Sequence, residues 1–297
     1  MNLSAVAAVR HAGERYGLYT QDAAVIHEAN NTIVLLSAEQ LVAKVITGPD
    51  SIERADRVHE LTGWLVGQGF PTTAPYPAGR PLAVEDSAVS FWRYYRQPEG
   101  SLPTSQHLGH LLRWLHRLPT PPIELPQWIP LESLHATLTY TACAAITLEE
   151  RDWLFARISA TREELAGLDS KLGIGPIHGD GWAGNLLWDT STQPTRALLM
   201  DWDYASVGPR EVDLIPTWHA TVRYGRTLEW TRQFTAAYGY DLAAWSGYDA
   251  LLRMRDLVQL TGPLRHADHS VVHAGRLRQR LDAIRAGDHS SQWSMQH

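Results

Sequence analysis

The sequence predicts an α+β protein made of two lobes, a small antiparallel-sheet lobe at the N-terminus and a larger, mostly helical lobe after it. Short β-branched segments separated by turn formers fill the first ninety-five residues. Apolar residues at helical spacing take over from residue 105. Between them the Arg-Gln-Pro-Glu-Gly run at 96–100 fits neither pattern and reads as a hinge. The expected division is therefore 1–95 and 96–297.

In the first lobe, segments 22–26, 32–36 and 40–46 have the composition and spacing of a strand meander, with turns at 28–31 and 37–39. A helix is expected over 51–67, with Ser51 as its N-cap and Gly69 and Pro71 beyond its end. Further strands are expected around Val84 and over 88–95. In the second lobe Leu108, Leu111, Leu112 and Leu115 give an amphipathic helix over 105–118. A proline-rich link at 119–130 leads to helices near 131–145 and 148–168. Two strands, 186–188 and 196–200, flank a turn, and the chain from 211 onward is mostly helical.

Composition removes several function classes. The chain has 297 residues, 44% of them hydrophobic and 20% charged, and a net charge of −6. That supports a proper core and argues against a nucleic-acid-coating surface. No apolar run approaches the roughly 20 residues needed to cross a bilayer. The N-terminus lacks the long apolar run of a secretory signal, and the single Cys143 has no internal disulfide partner. A cytoplasmic protein, monomer or homodimer, is expected, with neither nucleic acid nor membrane as a partner. Motifs for a P-loop, a zincin, a C-x-x-C site and a nucleophile elbow are all missing.

The chemistry concentrates in His178-Gly179-Asp180, Asn185 and the Leu199-Met200-Asp201-Trp202-Asp203 run. If 186–188 and 196–200 pair antiparallel, Asn185 at the start of one strand comes opposite Asp201 at the end of the other. An amide oxygen and a carboxylate then share one end of a hairpin, a donor set suited to Mg²⁺, which fills its remaining positions with water and phosphate oxygens. Asp180, on the loop feeding in, is left to accept or orient the proton of an attacking hydroxyl. Any one of these residues could simply close a turn; the spacing of the whole set points to a site.

This arrangement resembles the aminoglycoside phosphotransferase family, relatives of the choline kinases with a protein-kinase-like fold. The resemblance implies transfer of a phosphoryl group from ATP, with GTP as the alternative donor, to a hydroxyl of a small molecule. By it, Asp180 is catalytic, Asn185 and Asp201 hold the metal, His178 is structural and Asp213 braces the catalytic loop. Lys44, one of only two lysines in the chain, lies in an otherwise apolar strand, where a compact ammonium can reach nucleotide phosphates. Glu53 and Glu60 are the helix acids that could fix Lys44, and Glu60 is the choice. Residues 28–32, with Asn31, would cover the phosphates. Phe91, Arg93 and Tyr95 would line the adenine edge.

An antibiotic acceptor leads, with a choline, sugar or amino-alcohol kinase as the alternative within the class. A nucleotide-binding module without turnover and a metal-dependent hydrolase are the rivals outside it. Trp182, Asp203 and Trp218 are the acceptor-side candidates. Residues 203–260 carry seven acids against six arginines and many aromatics. Such a surface suits an acceptor with stacking faces and few positive charges.

Overall fold

In a computed structural model, which describes residues 3–28, 31–77, 79–100 and 102–294, the chain forms two compact units. One comprises 1–103, 117–126 and 184–205; the other comprises 104–116, 127–183 and 206–297. Among the described residues no helix is long and apolar enough to cross a membrane.

The first unit is built on a five-stranded antiparallel sheet of β1 (Ala24–Glu28), β2 (Thr32–Leu36), β3 (Leu41–Thr47), β4 (Leu82–Val84) and β5 (Ser87–Arg93), in the order β1-β2-β3-β5-β4. Alternation along β3 decides what each residue faces. Leu41, Ala43 and Val45 pack with Val34, Leu36, Val89 and Phe91 beneath Ala8, Val9 and Ala12 of α1 (Ala5–Arg15). Lys44 falls on the opposite face, level with Ile33 and Ser90. On that face Ile46 and Ala88 pack with Ala55 of α2 (Ser51–Gly67).

Several expectations shift here. The first strand begins at Ala24, two residues late, and the third at Leu41, because Gln40 turns with φ +52°. The last strand ends at Arg93. Asp50, in a left-handed conformation, precedes α2 as its cap, and Ser51 is the first helical residue. Helix α1 was not expected at all. Ser4 caps it, accepting from the Ala7 N–H at 3.3 Å, and its small apolar residues recur at helical spacing.

Residues 184–205 belong to this unit because the hairpin of β7 (Leu186–Asp189) and β8 (Arg196–Leu199) is bonded into it. The Leu199 N–H donates to the Pro71 carbonyl at 3.0 Å. Thr72 Oγ1 donates to the Leu199 carbonyl at 2.7 Å and accepts from Trp202 Nε1 at 2.8 Å. Gln97 adds a clip, accepting from the Trp188 N–H at 2.8 Å and donating to the Tyr95 carbonyl at 2.8 Å. The segment that reads as a hinge is thereby stitched to β7.

The second unit is mainly helical: α3 (Ser105–Leu115), α4 (Glu132–Tyr140), α5 (Leu148–Ala166), α6 (Ile215–Arg223), α7 (Leu228–Tyr238), α8 (Tyr248–Val258), α9 (Thr261–His266) and α10 (Val271–Ala286). Helices α3 and α7 pack tightly at Gly109, where a Cβ would lie 2.8 Å from the Phe234 carbonyl oxygen. The helix expected over 131–145 stops at Tyr140, leaving Cys143 half-buried in the loop that follows. A short antiparallel pair, β6 (Ile174–Ile177) with β9 (Ser206–Pro209), was not expected either.

Candidate active site

The first unit gathers one set of polar side chains. Lys44 Nζ lies 2.6 Å from Asp203 Oδ1 and 3.0 Å from Asp201 Oδ1. Asn31 Nδ2 donates to the other oxygen of Asp203 at 2.7 Å. Burial alone would push the Lys44 ammonium down, but Asp203 and Asp201 outweigh it and hold its pKa above that of free lysine. The lysine is a cation at every physiological pH. Asp203 is closed off, with its side chain 8% exposed, whereas Asp201 keeps 40%.

Hairpin pairing supplies the geometry at Asp201. Leu186 is opposite Leu199, and the Met200 N–H donates to the Asn185 carbonyl at 2.9 Å. The buried Asn185 and Asp201 therefore come to the same end of β7 and β8, the juxtaposition that the spacing implied. Asp201 adopts φ +66°, a left-handed conformation that costs a non-glycine residue about 1–3 kcal/mol. An amide oxygen and a half-open carboxylate are hard oxygen donors that fit Mg²⁺. Among the described residues no three His, Cys, Asp or Glu side chains form a cage of their own. A metal bound at Asn185 and Asp201 would thus take further oxygens from its substrate and water.

Other nucleotide-side expectations are redistributed. Glu60 is joined to Arg80, Oε1 to Nη2 at 2.6 Å, on the surface. The expected pair between Glu60 and Lys44 is not formed, because Asp201 and Asp203 already occupy the ammonium. Asp203, expected on the acceptor side, is committed to Lys44 and Asn31 instead. The Phe91 carbonyl accepts from the Tyr76 N–H at 2.8 Å, and the Arg93 N–H donates to Ala74 at 3.0 Å. Those two backbone atoms bond to the 74–76 segment, which bridges to Trp92 beside β5. Tyr95 accepts at its hydroxyl from the Ala74 N–H at 3.2 Å, beneath the Arg93 guanidinium. Of the expected phosphate-covering loop, Ala29 and Asn30 lie outside the described residues.

The second unit holds the loop of Asp180. Pairing of β6 with β9 delivers the chain to His178 on one side and to Asp213 on the other. Asp213 is wholly buried; its carboxylate accepts from the His178 N–H at 2.7 Å and the Gly179 N–H at 2.8 Å. Burial would raise its pKa, but bonds from His116 and the loop hold it below the usual carboxylate value. His116 Nε2 lies 3.0 Å from Asp213, and its Nδ1 lies 2.8 Å from the Tyr238 hydroxyl. Asp213 thus braces the loop as expected. Gly181 is required there: a Cβ would lie 2.8 Å from the Asp213 carbonyl oxygen.

Asp180 itself is partly exposed and ion-paired, with Arg255 Nη2 2.9 Å from Oδ1. Sequence reasoning missed Arg255, since an arginine in an amphipathic helix carries no motif. Trp182, on the same loop, is 44% exposed. Trp218 is not available to a ligand: it is 6% exposed and packs edge-on against Phe234, 5.6 Å between centroids. Its helix turns that face into the core.

A family model described as "Phosphotransferase enzyme family" matches residues 24–251. No curated protein sequence matches the chain significantly. Among solved structures, a microcompartment-associated aminopropanol kinase is 21% identical, with a TM-score of 0.65 over 93% of this chain and 95% of that one. The aminoglycoside phosphotransferase APH(3'')-Id of Streptomyces rimosus is 16% identical, with a TM-score of 0.63 over 86% and 99%. Spectinomycin phosphotransferase APH(9)-Ia, in complex with ADP and spectinomycin, is 13% identical, with a TM-score of 0.58 over 90% and 93%. These likenesses carry the kinase-like fold. The family match spans Lys44, the Asp180 loop and the Asn185–Asp201 hairpin alike, and the chain belongs to the phosphotransferase enzyme family.

Proposed function

We propose that this kinase transfers the γ-phosphoryl group of ATP to a hydroxyl of a small natural product of antibiotic type. The nucleotide would be bound by the first unit and the acceptor by the loop of Asp180. The observation that carries the reading is the Lys44–Asp201–Asp203 cluster, a buried cation and two carboxylates beside the buried Asn185. Lys44 would bind donor phosphates, and Asn31 and Asp203 would keep its ammonium in place. Mg²⁺ held by Asn185 and Asp201 would neutralise phosphate charge. Asp180 would orient the acceptor hydroxyl and take up its proton. On this reading the residues that would hold the metal come from 184–205, which belong with the first unit. The likeness to the aminopropanol kinase supports a second reading, an amino-alcohol acceptor.

The experiment is incubation with ATP and Mg²⁺ against a panel of hydroxylated antibiotics and metabolites, read as a mass gain of one phosphoryl group. Asp180→Ala should lose roughly 10²–10⁴-fold in transfer rate while binding nucleotide as the parent does. Transfer at the parental rate would remove Asp180 from the mechanism.

A further inference from the structure

Helix α8 sends two adjacent charged residues to different places. Asp256 is buried in a clamp from α6: it accepts from Arg223 Nε and Nη2 at 2.9 and 2.6 Å and lies 3.0 Å from His219 Nε2. Just past α6, the Tyr224 hydroxyl donates to Gln259 Oε1 at 2.8 Å. Helix α8 is therefore pinned at the residue following Arg255. From that anchored position Arg255 reaches Asp180, with its side chain 14% exposed. This is the one hydrogen bond of the Arg255 side chain among the described residues, and a guanidinium carries more donors than it uses there.

A fixed, mostly buried cation at this point has a chemical consequence. An isolated aspartate would attract an ammonium beside the reacting hydroxyl. Paired with Arg255, Asp180 presents little net charge, and the guanidinium repels a second cation at close range. Its spare N–H groups favour an oxygen lone pair instead. Resting on the reading of Asp180 as the residue that orients the acceptor hydroxyl, we propose that Arg255 determines acceptor specificity. It selects molecules with an oxygen function, not an ammonium, on the carbon next to the reacting hydroxyl. Vicinal diols and sugar-type hydroxyls are the class; vicinal amino alcohols are disfavoured.

Matched acceptor pairs test this: propane-1,2-diol against 1-aminopropan-2-ol, and methyl glucoside against its 2-amino-2-deoxy counterpart. Each is assayed by product mass with the parent, Arg255→Lys and Arg255→Gln. The parent should favour the oxygen member at least tenfold in kcat/KM, and Arg255→Lys should keep that order. In Arg255→Gln the ratio should narrow to within about threefold, since the repulsion is gone. The nucleotide KM should stay unchanged in both variants. A merely structural arginine would lower both members of each pair equally, and that result overturns the proposal. So does a parental preference for the amino member. Absence of transfer to every acceptor by the parent, including the wider antibiotic panel, overturns the reading of Asp180 itself and this proposal with it.

Discussion

Asp203 stands beside Lys44 where Glu60 was expected, and the reason lies in what each can reach. Lys44 needs a nearby carboxylate, because an unpaired ammonium buried in a sheet face is costly. The residues after β8 return beside β3 and satisfy it from there, at 2.6 and 3.0 Å. Glu60 is left to an exposed pair with Arg80, of a kind worth about 0–1 kcal/mol. Asp203→Asn should therefore weaken nucleotide binding by roughly tenfold or more, the loss of a charge-assisted bond that places Lys44. Glu60→Gln should stay within about twofold. Calorimetric titration with ADP separates them; equal effects would return Glu60 to consideration as the partner of the lysine.

At the scale of elements, the α6–α8 contact is the best defined. Arg223 and Asp256 form a bidentate pair that is almost fully buried, with His219 completing it. Burial is the largest influence on His219 and pushes its pKa down to about 4; the bond to Asp256 opposes this but does not prevail. The Arg223 cation already balances Asp256, so the imidazole stays neutral in the folded protein. In the unfolded chain His219 takes up a proton near its ordinary value of 6.5. Stability from this residue is fully present above about pH 6.5 and is lost as pH falls toward 4, by about 3 kcal/mol. Urea midpoints at pH 7, 5.5 and 4 should show that slope in the parent, and His219→Gln should be less stable at pH 7 but flatter toward acid. Parallel curves for the two proteins would dismiss the argument.

At the scale of the molecule, neither compact unit is a continuous stretch of chain. The first takes in 117–126 and 184–205 as well as its own N-terminal hundred residues. Thr72 depends on Leu199 and Trp202, and Lys44 on Asp201 and Asp203. A fragment spanning 1–103 would expose the apolar surfaces that receive the hairpin and leave Lys44 unpaired. Expressed alone, it should lack cooperative thermal unfolding and should not bind ADP. A fragment that folds and binds nucleotide would show that the hairpin is an accessory to this unit.

The sequence by itself determined what depends on local pattern and short spacing. Strand alternation set the face on which Lys44 lies, and leucines at helical spacing marked α3. The span from Asn185 to Asp201 specified a hairpin whose ends meet, since antiparallel pairing leaves little freedom over so short a loop. Only the tertiary structure decided which charges pair. Lys44 with Asp203, Glu60 with Arg80, Asp180 with Arg255 and Arg223 with Asp256 are separated by between 20 and 159 residues. Nothing local distinguishes a pairing acid from a solvated one. Trp218 makes the same point for packing: the sequence shows an aromatic on a helix, and only the arrival of Phe234 decides that the ring is buried. Long-range pairing follows from which buried charges are brought within reach of one another when the elements pack, and that is settled by the fold as a whole.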